Sequence, residues 1–257
     1  MKTSKQTVHL VDSMGSDLSV VNAARVSFAK ESEWENEKER IQGVFDSALD
    51  GGCYDLVDPG FKGILKLADQ RLIDYLAKHQ HWSPFAHNSL TFRIKAPIFV
   101  ARQLVKHQVG GVWNEVSRRY VDDEPEFYFP DEWRGRPEGG MKQGSSGVID
   151  KIKWNLDAFS DRIHEGPIHE NVKASLGDSL QLYNTLLKSG VAPEQARMVL
   201  PQNMMTEWWW TGSLMFFARV CKQRLDPHAQ QETREVAQMI ADAIPQEFEH
   251  SWKALMQ

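Results

Sequence analysis

The residues between Arg102 and Tyr120 have the types and the spacing to bind a small anion. This stretch contains four cations and one carboxylate: Arg102, Lys106, Arg118, Arg119 and Glu115. Its local charge is therefore +3 before His107 is counted, in a chain whose net charge is −5. A basic patch on an acidic protein suits an anionic ligand in a pocket, whereas general nucleic-acid binders are usually basic overall.

The first half of this stretch is predicted to be helical. Pro97 stands where a helix would begin, and PIFVARQLVKHQ forms its body up to the Gly110–Gly111 turn. Arg102 and Lys106 are four residues apart, as are Gln103 and His107, so two rows of side chains would end at this turn. A solvated basic helix end is the alternative, which these residues alone favour.

The second half, NEVSRRY at 114–120, is predicted to be extended. Glu115, Ser117 and Arg119 would then share one face of a strand. Ser117 and Arg119 could bind a phosphate there while Glu115 orients a neighbour. An ion pair between strands on an exposed sheet face fits the same residues equally well.

Histidines and tryptophans allow further interpretations. A metal-dependent hydrolase could use His79, His81, His87 and His107, but H-x-H-x5-H is not a standard ligand spacing and we expect no metal site. A single-strand nucleic-acid module could use Arg118, Arg119 and Tyr120. The acidic total charge disfavours that module. The run Trp208–Trp210 is interpreted as core or subunit interface.

The hydrophobic pattern predicts an α+β fold with one sheet and a helical C-terminal half. A half-buried strand is predicted over 90–95, because Leu90, Phe92 and Ile94 alternate with polar residues. The periodicity also predicts helices at 64–78, 176–187, 193–200, 212–224 and 229–244.

The bulk composition is that of an ordinary globular protein. We expect residues 1–257 to form a single catalytic domain with insertions at about 30–60 and 121–175, the second one containing a loop-like stretch at 121–150. The chain has no long apolar run, no secretory h-region and only two cysteines, Cys53 and Cys221. A cytoplasmic protein without membrane association is the expectation.

Six motifs in order resemble those of one enzyme family. They are H-x-S-P-F at 81–85, APIFVARQ at 96–103, K-H-Q at 106–108, NEVSRRY at 114–120, EQAR followed by LP at 194–201, and R-x-D-x-H-A-Q at 224–230. From about Asn22 to Arg234 the chain resembles the flavin-dependent thymidylate synthases. The resemblance implies a central, mostly antiparallel twisted sheet flanked by helices, and a homotetramer with active sites at subunit interfaces.

The resemblance also implies a reaction and its residues. The family methylates dUMP to dTMP, with methylenetetrahydrofolate as carbon donor, reduced FAD as hydride donor and NADPH as electron source. Arg224 and His81 would be catalytic, with Arg224 polarising the uracil. The residues implied to bind dUMP are Gln103, Lys106, Glu115, Ser117, Arg118, Arg119, Arg197 and Arg224. Those implied to bind FAD are Ser27, Ser83, Lys106, His107, Gln108, Glu115, Ser213, Arg219 and His228.

The chain departs from the family pattern on the flavin side. Lys106-His107-Gln108 stands where the family has Arg-His-Arg, and eight residues instead of seven separate Gln108 from Ser117. Ser213 and Arg219 occur where the family often has Asn, and Arg219 could replace a lost charge. Neither cysteine lies in a recognised nucleophile motif, since Cys53 is in a Gly-rich loop and Cys221 is in an apolar helix turn. This context fits a direct hydride route.

Overall fold

The computed structural model describes residues 1–35, 63–137, 139, 144–155 and 163–257. Most of the insertion predicted at 30–60, together with Cys53, lies outside these residues. The strands are β1 Lys2–Thr3, β2 Thr7–Met14, β3 Ser89–Pro97, β4 Gly111–Glu115, β5 Glu126–Phe127, β6 Arg134–Gly135, β7 Ser146–Val148, β8 Lys151–Asn155, β9 Ile163–Pro167 and β10 Met205–Gly212. The α-helices are α1 Asp17–Arg25, α2 Leu67–Lys78, α3 Ile98–Leu104, α4 Ile168–Lys188, α5 Pro193–Ala196, α6 Leu214–Arg224, α7 Gln231–Asp242 and α8 Glu249–Met256.

A four-stranded antiparallel sheet, in the order β2-β3-β10-β4, forms the centre of the fold. The predicted alternation in β3 is confirmed, because Leu90, Phe92 and Ile94 are fully buried. On β10, Trp208 and Trp210 point into the same core while Trp209 is half exposed. The Phe92 ring packs edge-on against Phe217 of α6, with ring centroids 4.8 Å apart. The predicted α+β fold with an antiparallel sheet and flanking helices is therefore confirmed.

The stretch predicted as a loop at 121–150 contributes to a second core. Phe127 of β5 is fully buried and packs with Leu176, Leu180 and Tyr183 of α4. Short strands β5 to β7 occur within this stretch, and α4 begins at Ile168 instead of 176. The loop prediction was wrong because strands of two or three residues are too short to show a periodicity.

Two element boundaries around the candidate residues were also predicted wrongly. Helix α3 begins after Pro97 as predicted, but it ends at Leu104 instead of continuing through Gln108. Leu104 is the last buried residue of the helix, and the exposed Lys106 and Gln108 have no core to pack on. Strand β4 ends at Glu115, so Ser117 and Arg119 do not continue its face.

Strands β2 and β10 were not predicted. In β10 the three consecutive tryptophans hide the alternation of buried and exposed positions, since all three are large and apolar. The extended conformation of both strands is decided by tertiary pairing: β2 pairs with β3, and β10 pairs with β3 and β4.

Two glycines allow the turn before β4 to pack against α6. Gly111 and Gly212 lie opposite each other in β4 and β10. The ring of Phe216 fills the space beside both, so a Cβ at either position would overlap its atoms. Gly110 has a φ of +88°, which favours glycine. The Gly110–Gly111 turn is therefore fixed by packing as well as by backbone conformation.

We predict that Gly111→Ala or Gly212→Ala lowers the free energy of unfolding by about 1–3 kcal/mol, because the added methyl group overpacks the core. Gly177→Ala is the matched control, since Gly177 lies in α4 with nothing within 4 Å of the added Cβ. That change should raise stability by roughly 0.5–1 kcal/mol through helix propensity. Urea denaturation measures all three variants. Wild-type stability in Gly111→Ala would contradict the packing described.

Candidate functional site

Two clefts contain most of the sequence-predicted nucleotide residues. The major cleft, of about 1040 Å³, is lined by Gln103, Arg224 and His228 among others. The minor cleft, of about 460 Å³, is lined by Glu115, Arg118 and Arg197 among others. The structure therefore divides the predicted residues into two groups on one chain. Lys106, Gln108, Ser117 and Arg119 line neither of these clefts.

Arg224 is the last residue of α6, and two contacts hold its guanidinium. Its Nε donates to His107 Nε2 at 2.9 Å, and its Nη2 donates to the carbonyl oxygen of Gln103 at 3.1 Å. The helix α3 and the turn that follows it supply both acceptors. The turn at 105–110 therefore places His107 against Arg224. The sequence pattern predicted a helix through Gln108 and did not predict this contact. Burial lowers the pKa of Arg224, but the ordinary value is high enough that the group stays charged.

His107 accepts a hydrogen bond from a cation, so its ring is neutral. Its pKa lies at about 4, below the ordinary 6.5, because burial disfavours the charged ring and because Arg224 and Arg219 repel it. A protonated ring would have no lone pair to offer Arg224. His107 thus acts as a neutral acceptor that orients Arg224.

We predict that acid weakens the folded state through His107. Above pH 6.5 the ring is neutral in folded and unfolded chains, so it makes no contribution to pH dependence. As the pH falls from 6.5 toward 4, the unfolded chain binds a proton that the folded chain does not, and the free energy of unfolding decreases. His107→Gln keeps an acceptor and does not titrate, so it should lose less stability over this range.

Stability curves of the wild type and His107→Gln measure the effect directly. The two curves should diverge below pH 6.5 and become parallel again below about 4. An NMR titration of the His107 ring gives an independent value. Parallel curves throughout, or a ring that titrates at 6.5, would contradict this account.

A chain of polar contacts positions the Gln103 side chain. Gln103 Nε2 donates to Gln230 Oε1, and Gln103 Oε1 accepts from Thr233 Oγ1 at 3.1 Å. Gln230 in turn donates to Glu232 at 2.9 Å. The buried Glu232 also forms an ion pair of 2.5 Å with Arg134. Helix α7 and the 121–150 stretch therefore support the major cleft together.

In the minor cleft the chain itself holds the Glu115 carboxylate. Thr206 Oγ1 donates to Glu115 Oε1 at 2.7 Å, and Trp113 Nε1 donates to Oε2 at 3.2 Å. The Trp113 ring stacks on Trp208 at 4.3 Å. Glu115 is thus oriented by hydrogen bonds, and it forms no ion pair with the described part of the chain, so the alternative of an ion pair between strands is not supported there.

The arginines near the minor cleft differ in how many of their N–H donors are already hydrogen-bonded within the chain. Arg118 is bound to Asp123 through its carboxylate at 3.2 Å and its backbone carbonyl. Arg119 donates to Ser117 Oγ at 3.1 Å and lies over the Tyr120 ring. Arg197 is exposed and donates only from Nε to the carbonyl oxygen of Glu194 among the contacts of the described residues. Arg197 and Arg119 keep donors that could bind an anion.

The residues implied to bind flavin are more scattered. Ser83 begins a short 3-10 helix, and His81 lies beside Tyr75, with ring centroids 5.9 Å apart. Ser27 is exposed in the 3-10 helix after α1. Ser213 is the N-cap of α6, where its hydroxyl accepts from Phe216 N at 3.2 Å.

Several supporting residues were missed by sequence reasoning. The buried Asn88 accepts from Leu214 N at 2.7 Å and so ties the 81–88 segment to the start of α6. Thr206, Thr233 and Arg134 were missed as well. Their hydrogen-bond partners, Glu115, Gln103 and Glu232, are far away in the sequence, so no local pattern indicates these contacts. Gln230 was within a motif and could have been found.

Two further properties hold for the described residues. No group of three His, Cys, Asp or Glu side chains in them is arranged to hold a metal ion. None of the helices described is long and apolar enough to cross a membrane.

An antiparallel sheet flanked by helices, with clefts lined by arginines, defines an α+β protein suited to small anionic ligands. The family model of the thymidylate synthase complementing protein matches residues 9–248, and the chain belongs to this family of enzymes. The chain is 34% identical over 250 residues to a flavin-dependent thymidylate synthase of Thermus thermophilus, covering 97% of this chain and 75% of the relative. It is 31% identical over 252 residues to one of Thermosipho africanus, covering 98% and 91%.

A solved structure supports the same assignment. The UMP/dUMP methylase PolB from Streptomyces cacaoi, bound with 5-Br dUMP, matches with a TM-score of 0.71 and 29% sequence identity. The match covers 99% of this chain and 96% of that chain. The family resemblance drawn from the six motifs is confirmed.

Proposed function

We propose that this enzyme methylates dUMP at C5 to give dTMP, with methylenetetrahydrofolate as carbon donor and FAD and NADPH supplying reducing equivalents. The observation that carries the proposal is the placement of Arg224, which neutral His107 and the Gln103 carbonyl hold in the major cleft. Residues from α3 through α7 contribute to this cleft, which favours one catalytic domain over 1–257.

Arg224 would stabilise the negative charge that develops on the pyrimidine. A guanidinium has five N–H donors, and the two contacts to His107 and Gln103 leave others for a ligand. Because both acceptors are fixed, the charge is preorganised before the substrate binds. Gln103, positioned by Gln230 and Thr233, would orient the base in the same cleft.

The phosphate of the nucleotide would bind at the other cleft. Arg197 lines that cleft and retains donors. Arg119, with the Ser117 hydroxyl beside it, lies outside the cleft lining but is close to Arg118 and Val121 in the chain and would add to the phosphate contacts. Because base-side and phosphate-side residues lie in different clefts of one chain, the complete site is proposed to combine the major cleft of one subunit with the minor cleft of another. A homotetramer with closed symmetry would repeat this junction.

The residues present also fit a flavin cofactor. Arg219 and Arg224 are both close enough to the neutral His107 to lower its pKa, and Lys106 precedes His107 in the chain, so this edge of the site carries cations. Such an edge suits the phosphates of a flavin nucleotide, while Ser27, Ser83, Gln108, Ser213 and His228 offer further polar groups. When bound, a reduced flavin supplies the hydride that completes the methyl group.

Cys221 does not serve as a nucleophile in this proposal. Burial raises the pKa of its thiol to about 12, so the reactive thiolate is not formed at neutral pH. A hydride route that uses no enzyme thiol agrees with this environment.

An absorption experiment tests the proposal. With oxygen excluded, purified protein reconstituted with FAD should show flavin bands that bleach with NADPH and return only when dUMP and methylenetetrahydrofolate are both added. UMP is tested in parallel, because PolB is a UMP/dUMP methylase. Failure to retain flavin, or bands that never respond to the nucleotide and folate, would refute the proposal.

A further inference from the structure

A third cleft, which we call the side cleft, opens next to the major cleft. It has a volume of about 640 Å³, and its described lining residues come from 135–137 and 144–149, at β6 and β7, and from 227–234 around the start of α7. The two clefts share wall residues, namely Gly144, Ser145, His228 and Ala229. A ligand in the major cleft could therefore extend into the side cleft without leaving the protein surface.

The side cleft is cationic. Its charged lining residues in the described parts of the chain are Arg136 and Arg234, and no carboxylate is among them. Arg234 Nη1 donates a hydrogen bond to the carbonyl oxygen of Pro227 at 3.2 Å, and the other N–H donors of the guanidinium remain for a ligand. The carboxylate nearest His228 belongs to Asp226, which lines the major cleft instead. In a chain of net charge −5, such a cleft selects an anion.

The described wall residues of β6 and β7 are held in place by side-chain contacts. Arg134 donates to Ser145 Oγ at 2.9 Å and pairs with the buried Glu232 at 2.5 Å. Ser146 Oγ donates to the carbonyl oxygen of Arg136 at 2.8 Å. Glu232 belongs to the same polar chain that positions Gln103. The geometry of the side cleft is thus tied to the geometry of the proposed catalytic cleft.

We propose that the side cleft binds the anionic tail of a cosubstrate whose ring system occupies the major cleft. This inference rests on the proposed function, which supplies two cosubstrates with anionic oxygens: the glutamate carboxylates of the folate and the phosphates of NADPH. Phe99 and Tyr128 line the major cleft and give a planar ring an apolar wall. Arg136 and Arg234 would then bind the charged end.

Kinetics with two pairs of probes test this assignment and its source. Methylenetetrahydrofolate carrying one or five glutamates is compared, and so are NADPH and NADH, with the wild-type holoenzyme, Arg136→Gln and Arg234→Gln. In the wild type the more charged probe of a pair should have the lower KM. We expect the ratio of the two KM values to shrink about fivefold in either variant, which is the loss expected for one partly exposed charge contact. Arg71→Gln, an exposed arginine on α2 outside all three clefts, should keep the wild-type ratios.

The outcomes separate the two sources and the two proposals. A change confined to the glutamate ratio identifies the folate tail, and one confined to the NADPH/NADH ratio identifies the dinucleotide. Equilibrium binding of unreactive folic acid pentaglutamate and of NADP⁺ is measured alongside, so the test does not depend on turnover. Unchanged ratios and unchanged binding in both variants would overturn the side-cleft assignment, even if dTMP forms normally. If dTMP does not form, altered binding alone would support it.

Discussion

Replacing Arg224 by alanine should lower turnover by about a hundredfold or more, the loss typical of one preorganised charge donor in an active site. The residue is held by two fixed acceptors, His107 and the Gln103 carbonyl, so its position does not depend on the substrate. Because the charge on the pyrimidine develops only during the reaction, kcat should fall more than nucleotide affinity. Steady-state kinetics with dUMP measures both quantities.

Two further variants make this expectation specific. Lys188 is the exposed last residue of α4, just as Arg224 is the last residue of α6. Lys188→Ala therefore removes a cation from an equivalent helix position and should leave kcat unchanged. Arg224→Lys keeps the charge but lacks the planar fork that reaches both acceptors, so it should remain strongly impaired. Near-normal turnover in Arg224→Ala would remove the residue from its proposed catalytic role.

Mixing two inactive variants should restore activity if active sites are shared between subunits. Arg224→Ala disables the major cleft, and Arg197→Ala disables the minor cleft. When both chains are co-expressed in equal amounts, about a quarter of the junctions should contain two intact clefts, because closed oligomers combine subunits at random. Activity should therefore rise from nearly none to about a quarter of the wild-type value.

A same-cleft pair provides the control for this experiment. Gln103→Ala and Arg224→Ala both affect the major cleft, so co-expression of these two variants should give no more activity than the two measured separately. Recovery in this pair, or no recovery in the Arg197 and Arg224 pair, would contradict sharing. The second result would instead place a complete site within one chain.

Much of the site could be predicted from local sequence signals. Pro97 marked the start of α3, and the alternation of Leu90, Phe92 and Ile94 marked β3 correctly. Arg224 and Gln103 were identified through motifs, and the structure brings them into hydrogen-bond contact. Those signals succeed because a helix start and a half-buried strand are encoded by neighbouring residues.

The remaining features depend on tertiary contacts that no local pattern shows. Helix α3 stops at Leu104 because burial stops there, although Lys106 and Gln108 just beyond it are good helix formers. The Glu232–Arg134 pair joins positions 98 residues apart. The division of nucleotide residues between two clefts is a property of how the chain folds and, in our proposal, of how it assembles.

Product analysis tests the central claim most directly. The FAD-loaded enzyme is incubated with dUMP, NADPH and methylenetetrahydrofolate whose methylene carbon is labelled with carbon-13. The account predicts dTMP with the label in its C5 methyl group, formed only when flavin is present and formed equally by Cys221→Ser. Labelled dTMP without flavin, or no methylated pyrimidine from dUMP with the complete mixture, would contradict it.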